Sequence, residues 1–461
     1  MVQKKFYHFL LILGVCLTVA ISAGCAKDNP GEASSLADSH IAYIGADGLY
    51  ASNMEGENAQ QLVAGNNLSF PLFSGNGTAL AYLADKDLYA YDFNTDKTVL
   101  LLAGANSYCA GASSSFYASS PTEGLLLIED MGTKKTVLLT TSGATEDQSQ
   151  ASKSTFPSFD IEEGSYLEYN NLTPSPDFSR LAFNIYIRNG DMAYSGGTWV
   201  MDTATGEFSL AVEGKKSTES EIGTDPQPSK FSPDGKTLFV WLRPASASIS
   251  ADGVPYGLYD LATKKLTPSS SLDESTPSQA LAYNENVSFS QVGSFALLAG
   301  TSRMMYETKY LQIINYTASS LDAKGIPTEN LIPAMPNLSK DGQKLYFAAF
   351  TGQDPLASSV PAYEYPLQRQ LYAYSREEIK ALTNDTTYRC EAPHLLNDNT
   401  HLFFGRINNE TNEMSLWLIN TEGSEAKQLA SWPMPDEASM LYNDYYGRGN
   451  WDGMIAYYDA T

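Results

Sequence analysis

The chain has 461 residues, of which 53 are acidic and 29 are basic, and its formal net charge is −24 at pH 7. This acidic excess excludes nucleic acid as the expected partner, because binding phosphates requires a basic surface. After the N-terminal segment no apolar run approaches the length of about 18 residues that a membrane-spanning helix needs, so we expect the remainder to fold in water.

The N-terminus has the three parts of a secretory signal peptide. Lys4 and Lys5 come first, an apolar stretch covers residues 6–20, and small residues occupy positions 22–24. We therefore predict that residues 1–24 are a signal peptide that is removed from the mature protein.

Cys25 directly follows the segment ISAG at positions 21–24. This arrangement resembles the lipobox of bacterial lipoprotein precursors, in which the cysteine is acylated and becomes the first residue. The resemblance implies palmitate-type lipidation of Cys25 and anchoring on the extracytoplasmic side of the cell membrane, since two acyl chains give stable attachment. The alternative is an ordinary signal peptide with an incidental cysteine. Residues 25–39 would comprise the acylated cysteine and a flexible tether, because they are small, polar and charged.

Two further cysteines, Cys109 and Cys390, belong to the predicted folded part. A disulfide is chemically allowed outside the cytoplasm, but two cysteines far apart in the sequence are no disulfide framework. Each lies in a strand pattern, so we expect two buried free thiols.

One phrase recurs along the rest of the chain: a short turn, an alternating apolar strand, and a second strand that ends in Asp or Asn. The clearest copy is FSPDGKTLFVW at positions 231–241. Pro presets the first turn dihedral, Asp and Gly accept tight or left-handed positions, and the alternating apolar residues bury one face of the strand. Turns of this kind begin at Phe73, Cys109, Pro174, Phe231, Phe289, Leu338 and Leu396. The repeat predicts four-stranded antiparallel blades.

An eighth unit at the start of the repeat lacks its turn and first strand. Its later strands fall at residues 41–44, 49–51 and 60–63, and the missing phrase occurs at residues 450–459. A C-terminal strand that completes the N-terminal blade removes the exposed edge of a propeller. We therefore predict an all-β protein in which residues 40–461 form one β-propeller domain, with eight blades and with seven as the alternative.

The phrase F-S-P-D-G-K-x-L/I-A-F/Y resembles the repeat of TolB-type, WD-like β-propellers, which also occurs in the propeller domains of prolyl oligopeptidase relatives. The resemblance covers the chain from about residue 40 to its end and implies the propeller fold. It does not include the separate N-terminal domain of TolB proteins, so a Tol-type energy-transducing role is not implied. Because propellers host many unrelated activities, function has to be argued from a site.

The connections of such blades separate onto two faces of the ring. The turns between the first and second strands and between the third and fourth share one face, here called the turn face. They are short and uniform, so we predict that Asp177, Asp234 and Asp341 form turns and are not catalytic acids.

The remaining connections share the opposite face, here called the loop face. Long insertions at residues 140–170, 188–197, 243–256 and 351–370 map to this face and suggest a binding surface, because long loops on a rigid scaffold carry function. Tyrosine and arginine supply much of the energy at binding surfaces. The candidate ligand-binding residues are Tyr194, Arg243, Tyr256, Tyr363, Tyr365 and Arg369.

Catalytic and cofactor motifs are not found in the sequence. No G-x-S-x-G elbow follows a strand, and the glycine-rich stretches match neither phosphate-binding nor calcium-binding patterns, so no catalytic residue and no cofactor is predicted. His394 and His401 flank one turn, but their spacing matches no zinc pattern and a third ligand is not evident, so no metal site is predicted either.

These observations favour a monomeric, membrane-anchored, extracytoplasmic binding or scaffolding protein. It would engage an unknown protein or envelope glycan through the loop face. The alternative is an extracytoplasmic glycan hydrolase or lyase with carboxylates from different blades in the central channel. A purely structural spacer is a third possibility.

Overall fold

The structure is a computed structural model that describes residues 41–142, 163–190, 192–246, 253–301, 309–351, 368–434 and 449–459. The predicted signal peptide, Cys25 and the tether lie outside the described residues. Within the described ranges, no helix is long and apolar enough to cross a bilayer. The helical segments found there are single 3₁₀ turns at Asp130–Gly132, Ser269–Ser271, Asn284–Asn286 and Trp451–Gly453.

Strands dominate the described chain. Those up to residue 212 are β1 (Ile41–Ile44), β2 (Gly48–Ser52), β3 (Gln60–Ala64), β4 (Leu68–Phe73), β5 (Ala79–Ala84), β6 (Asp87–Asp92), β7 (Lys97–Leu102), β8 (Ser107–Ala110), β9 (Phe116–Ser120), β10 (Gly124–Glu129), β11 (Lys134–Leu139), β12 (Tyr166–Pro174), β13 (Arg180–Asn189), β14 (Met192–Asp202) and β15 (Phe208–Val212).

The later strands continue the same order. They are β16 (Thr224–Phe231), β17 (Thr237–Pro244), β18 (Val254–Asp260), β19 (Lys265–Pro268), β20 (Gln279–Ala280), β21 (Val287–Phe289), β22 (Ser294–Ala299), β23 (Tyr310–Tyr316), β24 (Leu321–Gly325), β25 (Leu331–Leu338), β26 (Lys344–Thr351), β27 (Gln370–Ser375), β28 (Glu378–Ala381), β29 (Tyr388–Leu395), β30 (His401–Asn408), β31 (Glu413–Asn420), β32 (Lys427–Pro433) and β33 (Ile455–Tyr457).

These strands form eight antiparallel blades in a ring, which confirms the predicted eight-bladed propeller and excludes the seven-bladed alternative. Seven blades take consecutive strands, from β4–β7 in blade 2 to β29–β32 in blade 8, and the short β20 is added beside β18 in blade 5. Blade 1 has the order β3-β2-β1-β33, so its innermost strand is the last strand described. Ile41 faces Tyr457 and Tyr43 faces Ile455 in this pairing, as the closing-strand prediction required.

The repeated turn is held by one serine and one aspartate. Ser232 Oγ donates to Asp234 Oδ1 at 2.7 Å, and the Thr237 N–H donates to Ser232 Oγ at 3.0 Å. Burial alone would raise the pKa of Asp234, but the hydrogen bonds from Ser232 and from Lys236 hold it below its usual value. Gly235 has a φ of 68°, a conformation that glycine adopts readily. Asp234 is therefore a turn former, as predicted.

The same serine–aspartate bond recurs in two other blades. Ser175 donates to Asp177 and Ser339 donates to Asp341, both at 2.6 Å. The predicted structural role of these two aspartates thus follows from their own hydrogen bonds.

Apolar contacts between neighbouring blades form the core. Between blades 5 and 6, Phe239 and Phe295 are fully buried and their rings meet edge to face at 5.6 Å. Cys109 and Cys390 are free and buried, as expected. Burial raises the pKa of the Cys390 thiol to about 11, so this cysteine stays protonated and unreactive at neutral pH.

A buried carboxylate fixes the chain just before the closing strand. Glu391 in β29 accepts hydrogen bonds from the Gly449 N–H at 2.7 Å and from Trp451 Nε1 at 2.9 Å. Its other oxygen accepts from Arg369 Nη1 at 2.6 Å and lies 3.8 Å from Arg389 Nε. Burial alone would raise the pKa of Glu391, but the two guanidinium groups and these hydrogen bonds hold it below its usual value.

Replacing Glu391 by Gln should lower the free energy of unfolding by about 3–5 kcal/mol, because the buried guanidinium groups lose their counter-charge. Urea denaturation of the full-length protein measures the change. Glu422→Gln is the matched control, since Glu422 pairs with Lys344 and Lys380 at 3.4 Å on the surface. Such exposed pairs contribute at most about 1 kcal/mol. Equal losses for the two variants would contradict the proposed role of Glu391 in ring closure.

Candidate functional site

A cavity of about 400 Å³ lies at the centre of the ring, lined by the innermost strands of blades 5 to 8 and by the segment that closes blade 1. Its volume is within the range of small-molecule sites. The polar and aromatic residues of its wall are Lys230, Asn284, Glu285, Ser288, Asn337, His394, Trp451, Asp452 and Tyr457.

Irregular inner strands shape the wall of this cavity. In β25 the residues Met335-Pro336, and in β29 the residues Ala392-Pro393, have no partner in the regular register of the blade. Met335 and Ala392 each have a φ of 51°, which is uncommon for residues other than glycine. Bulges of this kind redirect side chains and are frequent next to functional sites. Here they bring all four residues into the cavity wall.

A layer of polar side chains links one inner strand to the next around the cavity. Lys230 Nζ donates to the Val287 carbonyl at 2.6 Å, and the Leu338 N–H donates to Ser288 Oγ at 2.9 Å. Asn337 Oδ1 accepts from the Leu395 N–H at 3.1 Å. Each of these contacts joins two successive blades, so the layer both lines the cavity and ties the ring together.

His394 completes this layer beside the closing strand. Its ring stacks on Tyr457 with the centroids 4.4 Å apart. Burial lowers the pKa of His394 to about 4, against the opposing charge of Asp459. The imidazole is therefore neutral at physiological pH and can both donate and accept a hydrogen bond.

The sequence contained a signal for this layer that the prediction missed. Lys230, Ser288, Asn337 and His394 each stand two positions before the residue that starts the turn hydrogen bonds in their blade. In these four blades the polar residue at this fixed offset before the turn lines the central cavity. Aligning the turns would have identified the four positions together.

The charges on the cavity wall are one amine and two carboxylates. Burial lowers the pKa of Lys230, whereas the negative charges of Asp452 and Glu285 oppose that change. Asp452 is exposed and Glu285 is half-buried. Across the described ranges, no group of three or more His, Cys, Asp or Glu is arranged to hold a metal ion. The wall can therefore hydrogen-bond a polar ligand and attract a charged one.

On the loop face, Arg243 belongs to a network between blades 4 and 5. Its Nη1 donates to Gln227 Oε1 at 2.9 Å. Gln227 Nε2 donates to Asp225 Oδ2 at 2.9 Å, and the Tyr186 hydroxyl donates to the same oxygen at 2.8 Å. Arg243 is half-buried and held in one orientation by these contacts.

Tyr194 lies in a hairpin, which corrects the predicted loop at residues 188–197. β13 continues to Asn189 and β14 begins at Met192, so most of this insertion is paired strand. Tyr194 is half-buried, with Lys216 Nζ 4.8 Å above the centre of its ring. Met192 at the tip of the hairpin is 66% exposed. The hairpin thus extends one blade outward on the loop face.

Tyr256 and Arg369 are buried, in contrast to the exposed positions expected from the sequence. β18 begins at Val254, so Tyr256 is a strand residue, and its ring stacks on Phe239 at 5.2 Å within the core. Arg369 is fully buried because it pairs with Glu391 in the next blade. Neither side chain is available on the surface. Tyr363 and Tyr365 lie outside the described residues.

Comparison with known proteins gives structural neighbours only. No family model and no curated protein matches the chain. A prolyl endopeptidase aligns over 79% of this chain and 50% of its own, with 10% identity and a TM-score of 0.48. A putative TolB from Agrobacterium tumefaciens aligns over 92% of this chain and 99% of its own, with 11% identity and a TM-score of 0.34. TolB from Acinetobacter baumannii aligns over 86% of this chain and 65% of its own, with 12% identity and a TM-score of 0.35.

The chain thus spans half the length of the prolyl endopeptidase it aligns with. The solved neighbours include TolB proteins and other propeller proteins, and at this identity they carry no argument about activity.

The buried imidazole predicts a specific pH dependence of stability. Because the pKa of His394 falls from about 6.5 in the unfolded chain to about 4 in the folded protein, the unfolded chain gains a proton first as the pH falls. Stability should therefore decrease between pH 6.5 and pH 4, and His394→Phe, which keeps a ring against Tyr457, should reduce this decrease. Urea denaturation at several pH values measures it. If NMR shows that the His394 ring of the folded protein titrates near pH 6.5, the prediction is wrong.

Proposed function

We propose that this protein is a lipid-anchored, extracytoplasmic binding or scaffolding propeller that engages a protein or an envelope glycan through its loop face. The choice of binding over catalysis rests on the makeup of the central cavity. Its wall combines hydrogen-bonding groups from several blades with one lysine between two carboxylates, and this suits recognition better than acid–base chemistry.

The alternative of a glycan hydrolase or lyase would use Glu285 and Asp452. Glycoside hydrolysis needs a carboxylic acid that keeps its proton near neutral pH, which apolar enclosure achieves. Asp452 is exposed and Glu285 is half-buried, and both carboxylates interact with Lys230. We therefore prefer the binding function.

The loop face offers prearranged side chains for such binding. The network through Gln227 and Asp225 fixes Arg243, and Lys216 covers one side of the Tyr194 ring. Groups that are already ordered lose less conformational freedom on binding, which favours affinity. The long connections predicted from the sequence map to the same face.

A photo-reactive amino acid at position 192 tests the loop face directly. Met192 is exposed at the hairpin tip, and the matched control is position 236 on the turn face, where Lys236 is also exposed. Irradiation of intact cells should yield a covalent adduct from position 192 and none from position 236. Adducts from position 236 alone, or none from either site in cells that display the protein, would contradict binding through the loop face.

The proposed anchor predicts the location of a single-residue variant. Cys25→Ser removes the acylation site, so the protein should leave the membrane fraction, because two acyl chains supply its attachment. Cell fractionation with immunoblotting measures the distribution. Cys109→Ala, which changes a buried thiol, should remain in the membrane fraction. Retention of the Cys25→Ser protein on membranes would contradict lipid anchoring.

A further inference from the structure

A second cavity, here called the rim pocket, lies at the outer part of the ring. Its wall comes from blade 6, from the connections before and after that blade, and from blade 7, and its volume is about 760 Å³. It shares no lining residue with the central cavity. Its polar and aromatic wall residues are Ser275, Tyr310, Gln312, Lys324, Tyr374 and Glu377. Its size is in the range of ligand sites.

Gln312 is the unusual group in this wall. The residue is only 2% exposed, and within the described chain its Oε1 has no hydrogen-bond partner. Buried side-chain oxygens in proteins nearly always accept a hydrogen bond. Opposite Gln312 in the blade stands Gly325, and no atom lies within 4 Å of where a Cβ on this glycine would be. Gln312 Oε1 is therefore an acceptor that has almost no exposed surface and no donor among the described residues, and the open space lies over the neighbouring Gly325.

The rest of the pocket wall consists of two tyrosine rings and one ion pair. Tyr310 is 42% exposed, and the buried ring of Tyr374 lines the pocket opposite. Lys324 Nζ lies 3.1 Å from Glu377 Oε1, so the positive and negative charges of the wall offset each other. An ionic ligand would have to separate this pair, whereas a neutral ligand with hydroxyl groups can hydrogen-bond both members.

We propose that the rim pocket binds a neutral pyranose unit of a saccharide. The C–H face of the sugar packs on the exposed ring of Tyr310. The Gln312 amide turns toward the open space over Gly325, where its Oε1 accepts a hydrogen bond from one hydroxyl. Other hydroxyls donate to Glu377 and accept from Lys324. Binding forms no covalent bond. None of the wall residues of the rim pocket belongs to the central cavity or to the loop-face contacts of Arg243 and Tyr194, so the assignment does not rest on the proposed function.

A peptide is the less suitable occupant of this pocket. Extended peptides bind by pairing with the edge of a sheet. β24 is the outer strand of blade 6 and carries the charged residues Asp322 and Lys324, and charged side chains protect sheet edges against such pairing.

Titration of the full-length protein with three neutral sugars tests the assignment. The probes are methyl β-D-glucopyranoside, methyl β-D-galactopyranoside and N-acetylglucosamine, used with a detergent that contains no sugar and followed by saturation-transfer NMR. At least one sugar should bind. Gln312→Leu should weaken that binding by about tenfold or more, because the sugar hydroxyl loses its buried acceptor. Tyr310→Ala should weaken it as well.

Stability and a matched variant separate ligand recognition from a structural role. Gln312→Leu removes an unpaired buried acceptor, so its melting temperature should be unchanged or higher. Gln343→Leu changes an exposed glutamine in the turn of blade 7 and should bind sugar like the wild type. The proposal is overturned if no sugar binds, if Gln312→Leu and Tyr310→Ala leave the affinity unchanged, or if a proline-containing pentapeptide binds with the same dependence on Gln312 while the sugars do not.

Discussion

Every blade of this ring depends on the pairing between β1 and β33, because each blade covers an apolar face of its neighbour. Without that pairing, β1 would present an open inner edge and two blade faces would meet water. The Glu391 carboxylate strengthens the closure by holding Gly449 and Trp451 just ahead of β33. The central cavity depends on the same closure, since its wall includes residues of the closing segment and of blade 8.

Much of the fold could be predicted from the sequence because its signals are local. The Ser232–Asp234 bond and the left-handed Gly235 lie within one turn, so each copy of the phrase reports a blade by itself. The closing strand was predictable for the same reason. The phrase at residues 450–459 supplies a turn and a first strand, and the first blade has the later strands but no such phrase before them. The polar layer with Lys230 and His394 was readable in principle, at a fixed offset before each turn, but only after the copies are aligned.

Two of the candidate site residues could not be placed from local patterns. Arg369 resembles an exposed loop arginine in the sequence, and its burial follows from an ion pair with Glu391 in the next blade. Tyr256 was expected in a loop, but the strand begins before it and its ring packs on Phe239. Both outcomes depend on contacts between blades, which one repeat does not encode. The sequence did not predict the acceptor at Gln312, because whether a donor reaches its Oε1 depends on how the side chains pack in the folded protein.

The position of β33 also affects the order of events in folding. Blades 2 to 8 each draw their four main strands from one continuous segment, so each can pair its strands as that segment becomes available. Blade 1 instead needs strands separated by nearly the whole domain. A nascent chain therefore has no complete ring until residues 455–457 have been synthesised.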